Sequence, residues 1–290
     1  MESILIAVLF VALAVASYTD IKKREVPDWL SYGLVAFGLG ANLLLSIVNW
    51  SIFPLLYSVL GFGIFFAFAF LMYYTGQWGG GDSKLLMGVG AVFGFEFSKS
   101  IAVFFFSPLF SFFMNLLLVG VVYAMVLAVI AAFRRRKKFS REFVKVLAAQ
   151  RYRRIILGMG AVLVVVALVS GSPLAKLLFG AVAVMLASLP YIFAFSKSIE
   201  NACMLSRVNP SKLTEGDWIA QNVVVGKKII AGPKDLGVSK RQIALLNRLY
   251  RARKVRNVVV KNGIPFVPSF LAALAVTVFY GNLMFFLLGI

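Results

Sequence analysis

Histidine is absent from this chain of 290 residues, cysteine occurs once, at Cys203, and only 11 residues are Asp or Glu. Each shortage excludes a class of chemistry. Without histidine there is no Ser-His-Asp or Cys-His nucleophile system. A single cysteine leaves no disulfide framework and no His/Cys zinc site, so no metal or cofactor is expected. Acid–base work falls to carboxylates and lysines. Charge is scarce as well: 14% of residues are charged and 61% are hydrophobic. A soluble core cannot absorb that much apolar surface in so few residues, so the composition implies a polytopic membrane protein.

Apolar runs at about 3–19, 29–49, 52–75, 83–97, 108–133, 155–170, 173–195 and 267–289 predict an all-α membrane core of eight transmembrane helices. The fourth run is short, and Phe104 to Pro108 are its tail, an interfacial segment or the entry to the next; Pro108 favours a break there. The first run reads as a retained span and not a signal peptide. Glu2 stands where a basic stretch is needed, and no small-x-small cleavage site leads into a soluble domain. The expected division is a transmembrane core over 1–195, a soluble lobe over 196–266 and a final helix over 267–290.

The net charge of +19 invites a nucleic-acid partner, but its placement argues otherwise. With eight spans and the N-terminus outside, the loops 20–28, 76–84, 134–154 and 196–266 are cytoplasmic. They hold 28 of the 30 Lys and Arg residues, leaving out Lys99 and Lys176, as the positive-inside rule requires. The basic residues are spread over four loops with no recognisable nucleic-acid fold, so no nucleic acid is expected. The run 134–154 carries Phe139, Phe143, Val146 and Leu147 at helical spacing. It is either an amphipathic helix on anionic lipid headgroups or a solvated loop.

The segment before the last span predicts a small cytoplasmic α+β lobe. Val223 to Val225 and Lys228 to Ile230, around Gly226-Lys227, read as strand, turn and strand, and Val258 to Val260 as another strand. Ser239-Lys240-Arg241-Gln242 is a capping box opening a helix with Ile243, Leu246, Leu249 and Tyr250 on one face. Asp217 and Asp235 sit beside glycines and read as turn residues, and Cys203 as a small buried apolar side chain.

Two other aspartates stand where apolar runs meet short polar loops. Asp20 closes the first run, and Asp82 follows Gly79-Gly80-Gly81 at the head of the fourth. An ionisable group at the end of a span is costly to keep, which favours a functional role. The blander alternatives are an interfacial aspartate for Asp20 and a helix N-cap for Asp82. Three glycines exceed what a cap needs and suit positive φ or the approach of another backbone. Gly79 to Lys84 is not a P-loop, since the Gly-x4-Gly-Lys-Ser/Thr spacing is missing.

Together the two motifs resemble the GxGD intramembrane aspartic proteases, and within them the archaeal prepilin and preflagellin peptidases. Asp20 with Pro27 and Trp29-Leu30 is similar to that family's first motif. Gly79-Gly80-Gly81-Asp82-Ser83-Lys84-Leu85-Leu86 is similar to its second. Leu213 to Asp217 and Lys261 to Phe270 are similar to the C-terminal region of archaeal members. The resemblance implies Asp20 and Asp82 as catalytic residues, with Gly79, Gly80, Gly81, Pro27 and Lys84 in support. It implies cleavage of a short basic leader peptide from type IV pilin-like or archaellin precursors, in the cell membrane and at its cytoplasmic face. With no cysteine-rich N-terminal domain in view, the methyltransferase activity of bacterial relatives is not expected.

Two carboxylates at short range cannot both ionise easily, so such a pair holds one shared proton, and water is activated between them. Glu25 and Asp28 are candidates to meet the basic leader, or are routine loop charges. Lys84 is a partner for the acidic pair, a donor to the substrate backbone, or a snorkelling lysine. Membrane lipids and precursor proteins are the partners expected. Two rival readings stand: a signal-peptide-peptidase-like GxGD enzyme, which lacks its Pro-Ala-Leu motif here, and a non-catalytic transporter or scaffold.

Overall fold

The computed structural model describes residues 2–96, 105–226 and 228–289; Lys99, Phe104 and Lys227 lie outside the described residues. Helix α1 (Glu2–Lys23) ends on Lys22 and Lys23, whose charges suit the carbonyl end of the helix. Arg24 breaks it at φ 57°. Pro27 is extended, and its carbonyl receives the amides of Leu30 and Ser31 as α2 (Asp28–Val48) begins. Helix α3 (Phe53–Tyr74) opens with a proline in its first turn, and α4 (Gly80–Phe93) stops at Gly94, φ 67°. There follow α5 (Pro108–Arg134), α6 (Arg136–Ala149), α7 (Arg153–Val169) and α8 (Pro173–Ile199).

Among the described residues, five helices are long and apolar enough to cross a membrane: α1, α2, α3, α5 and α8. A sixth counts if α6 and α7, bent by 76° at their junction, form one broken span. Five or six candidate spans fall short of the eight expected, and the two further apolar runs are shorter helices. Helix α4 and the late helix α10 (Val267–Tyr280) each have 14 residues, a rise of about 21 Å against a hydrocarbon core of about 30 Å. The last apolar run also breaks at Gly281, φ 68°, and restarts as α11 (Leu283–Leu288) under the Asn282 cap. The stretch expected to be amphipathic helix or solvated loop is the helix α6, with Phe139 against Phe195 of α8 at 5.6 Å.

The chain divides into two compact units, one of residues 1–126 with 263–290 and the other of 127–262. In the first unit, Leu9, Leu13, Leu85, Leu86, Phe112 and Phe270 are fully buried in one core. Small residues let its helices meet backbone to backbone. A Cβ on Gly61 of α3 would drive into the Gly90 carbonyl of α4, and one on Gly90 would lie 2.5 Å from the Gly61 carbonyl. Ser58 donates to the Ala91 carbonyl at 2.5 Å across the same seam. On α5, the buried amide of Asn115 donates to Thr277 Oγ1 (2.9 Å) and the Gly281 carbonyl (2.7 Å) and accepts from the Leu283 amide. That side chain satisfies the backbone groups freed by the break between α10 and α11.

The second unit contains the α+β lobe. Its sheet has the order β1 (Leu205–Val208), β5 (Val258–Lys261), β2 (Trp218–Ile219), all antiparallel, and a separate hairpin joins β3 (Val223–Val225) to β4 (Lys228–Ala231). Strands β3, β4 and β5 were legible in the sequence; β1 and β2 were not. The capping box is formed, with Ser239 and Gln242 exchanging bonds at the head of α9 (Lys240–Arg251). Leu246 is fully buried, with Ile243 and Leu249 beside it, whereas Tyr250 is exposed. Asp217 and Asp235 close turns through the amides of Thr214 and Gly232.

The α3–α4 seam makes a direct prediction. Gly61→Ala should destabilise the protein by about 1–3 kcal/mol, because overpacking there meets backbone and not a flexible side chain. Gly63→Ala, on the same helix with open space around it, should leave stability unchanged or raise it by up to about 1 kcal/mol. Thermal unfolding in detergent compares them; equal midpoints for the two variants would contradict the packing described.

Candidate active site

Asp20 lies in the last turn of α1 and is 6% exposed. Its Oδ2 accepts a hydrogen bond from the Val267 amide at 2.9 Å, with the Phe266 amide alongside. These are the first amides of α10, which have no partner within that helix and point at an anion. Pro268 in the same turn has no N–H to satisfy, so its presence removes a donor the helix could not use. Arg24, one turn beyond Asp20, donates from Nη1 to the Gly263 carbonyl at 3.1 Å and ties the α1–α2 loop to the segment entering α10. Pro265 and Pro268 read from sequence as shaping the entry to the last span, in a segment that the family resemblance puts near the active site. The donors that hold Asp20 are backbone groups, which leave no side-chain signature.

Asp82 is the third residue of α4 and is half-buried. Gly79, not Asp82, is the N-cap, and Asp82 Oδ2 accepts from the Gly79 amide at 3.4 Å. The glycines are not left-handed: Gly79 has φ −71°, and positive φ belongs instead to Gly76 in the preceding turn. What the run permits is close approach. A Cβ on Gly81 would come within 3.1 Å of Val26 Cβ and 3.4 Å of its backbone nitrogen. The first turn of α4 is thereby seated against the loop that follows Asp20, close enough for the Asp20 charge to act on Asp82. Asp82 stands in an opening turn outside the long apolar spans. Burial, reinforced by the neighbouring Asp20 charge, pushes its carboxyl up to about 7.

Lys84 does not reach the aspartates. Its Nζ pairs with Asp28 Oδ1 at 2.6 Å and lies 5.3 Å from the centre of the Tyr32 ring. That ion pair joins the first turns of α2 and α4, and it engages one of the two carboxylates expected to meet a basic substrate. Glu25 is exposed and forms no ion pair among the described residues. Pro27 serves as the N-cap of α2. Ser83, beside Asp82, is buried with its hydroxyl unpartnered among the described residues. No group of three or more His, Cys, Asp or Glu gathers among the described residues. The arrangement offers a pair of carboxylates at neighbouring helix ends, one held by amides and one with a raised affinity for a proton.

Residues 7–133 match the Type IV leader peptidase family. The chain is also similar to proteins named preflagellin peptidase. It is 39% identical to that of Methanocaldococcus jannaschii over 82 residues, which is 28% of this chain and 35% of the relative. With that of Methanococcus voltae the figure is 37% over 86 residues, or 30% and 36% of the two chains. With that of Methanococcus maripaludis it is 36% over 80 residues, or 28% and 34%. The chain thus spans about a third of the length of the curated relatives it matches. No solved structure matches it.

The raised carboxyl at Asp82 has a signed consequence for stability. Between pH 3.8 and about 7 the unfolded chain has lost that proton and the folded chain retains it, so stability falls as pH rises through this window and levels off above it. In Asp82→Asn this contribution is gone. Its thermal midpoint should gain on the unmodified protein from pH 4 to 7, with a slope of at most about 1.4 kcal/mol per pH unit, and keep a constant lead above pH 7. A lead independent of pH would contradict the assignment.

Proposed function

We propose, from the match of residues 7–133 to the Type IV leader peptidase family, that the chain is a membrane aspartic endopeptidase. It cuts the short basic leader from pilin-like or archaellin-like precursors, with Asp20 and Asp82 as the catalytic pair. The observation that carries this reading is the placement of the two carboxyls: Asp20 under the α10 amides, and Asp82 in the first turn of α4, which Gly81 seats on Val26 of the loop that follows Asp20. The names of the relatives, preflagellin peptidases, supply the substrate class.

The two carboxyls share one proton near neutral pH. The ionised member takes a proton from a water held between them, and that water attacks the scissile carbonyl. The protonated member donates a hydrogen bond to the carbonyl oxygen as negative charge develops there, and the proton then passes to the departing amine. The dyad titrates as a unit, so base and acid belong to the pair and not to one residue. The amides of α10 fix Asp20 in place. Among the described residues Asp82 has only the long bond to Gly79, and it is the freer of the two to reorient as the peptide arrives.

In this reading the N-terminus is outside and the loops bearing both aspartates face the cytoplasm, where the unprocessed leader is found. Residues 1–195 form the membrane core, 196–266 a cytoplasmic lobe and 267–290 the closing segment. Glu25, exposed and without an ion pair among the described residues, and Asp28, once exchanged from Lys84, meet the basic leader.

Cleavage of a precursor with a basic leader by the purified protein in detergent tests the proposal. Asp20→Asn and Asp82→Asn should each slow cleavage at least ~100-fold, the lower end of what positioned acid–base groups contribute. Lys84→Gln should cost ~10-fold or less, acting through helix placement. Because one proton must be held, the rate should fall as pH rises through about 7. Either aspartate variant cutting at the unmodified rate would overturn the mechanism.

A further inference from the structure

The lobe between Leu205 and Asn262 carries thirteen Lys and Arg residues against three Asp and Glu. Those three acids are already engaged. Asp217 and Asp235 accept the Thr214 and Gly232 amides, and Glu215 pairs with Lys240 at 3.4 Å. Arg241, Arg248, Arg251, Arg253, Lys254 and Arg256 are all exposed, and none forms an ion pair among the described residues. The first three recur at helical spacing along α9, on the side away from buried Leu246, with exposed Leu245 between them. The chain then turns at Arg253, φ 55°, and brings Lys254 and Arg256 to the wall of a groove of about 270 Å³. Gln221, Asn222 and Asn257 also line that groove, and no carboxylate does.

We propose that this face binds the anionic phosphate headgroups of the bilayer that holds the chain's own helices. Guanidinium, ammonium and amide groups in a groove without carboxylates present donors to a phosphate and repel none of its charge. Leu245 and the exposed Tyr250 supply the apolar contact that a headgroup boundary accommodates. Chain connectivity selects the lipid over a soluble anion. β1 begins directly after the π-helical segment Glu200–Met204 that follows α8, and β5 ends six residues before Val267 of α10. The basic face is therefore tethered at both ends near the membrane surface, where the effective concentration of headgroups is high. Lipid contact would hold the lobe in one attitude over the bilayer.

Hydrogen exchange read by mass spectrometry on the full chain in nanodiscs tests this. Amides of 240–258 should exchange at least ~5-fold more slowly in nanodiscs containing phosphatidylglycerol than in phosphatidylcholine alone. Inorganic phosphate added to phosphatidylcholine nanodiscs should not reproduce the slowing. The variant Arg248→Gln, Arg251→Gln, Lys254→Gln, Arg256→Gln should lose the difference while the β1–β5 amides keep their protection, which reports that the lobe is folded. Equal exchange in the two lipids, slowing by phosphate alone, or slowing that survives the substitutions would each overturn the proposal. The lipid comparison on the unmodified chain stands even if the variant fails to fold.

Discussion

One hydrogen bond sets how the beginning of this chain meets its end: the Val267 amide to the Asp20 carboxylate, across 247 residues of sequence. A buried carboxylate must be paired, and a helix N-terminus offers amides with nothing else to bind, so each satisfies the other's need. The rest of the site depends on that match. It places the last turn of α1 beneath α10, and Arg24 repeats the connection one turn on through the Gly263 carbonyl. At its far end α10 is secured by Asn115, which receives the backbone groups released where the helix stops. Asp20 is thus held by an element anchored at both ends.

The second carboxyl arrives by packing and not by hydrogen bonding. Gly81 allows α4 to seat its first turn on Val26, in the loop that leaves Asp20, and the Asp28–Lys84 pair couples the neighbouring helix starts. Further along the same helix, Gly88 lies against Leu34 and Gly90 against Gly61. Each side of α4 is therefore fitted to a neighbour at a position where even one methyl group would intrude. This explains why a short helix, too brief to span a bilayer unaided, is so fully buried, and why its opening turn carries a carboxyl reluctant to ionise.

Much of this was legible in the sequence, for physical reasons that can be named. Asp20 and Asp82 declare themselves because charge is rare in an apolar chain and both stand at the ends of apolar runs. The capping box at Ser239 and the hairpin around Gly226 follow local rules, and the structure has both. The ends of the helices were not legible, because hydropathy measures apolar length and not where a helix ends. Gly94 and Gly281 stop α4 and α10 before their apolar runs end. The glycines before Asp82 announced an unusual backbone but not which kind: Gly81 serves a close contact with Val26, and no positive φ is involved. The partners of Asp20 were invisible, since Phe266 and Val267 contribute only main-chain groups.

The central claim is that the two carboxyls feel each other's charge through this placement. Infrared titration of the protonated carboxyl band in the intact protein tests it most directly. The Asp82 band should titrate near 7 and move to lower pH in Asp20→Asn, where the neighbouring charge is gone. A band that stays at the same pH in that variant would show that the aspartates do not interact, and would contradict the account.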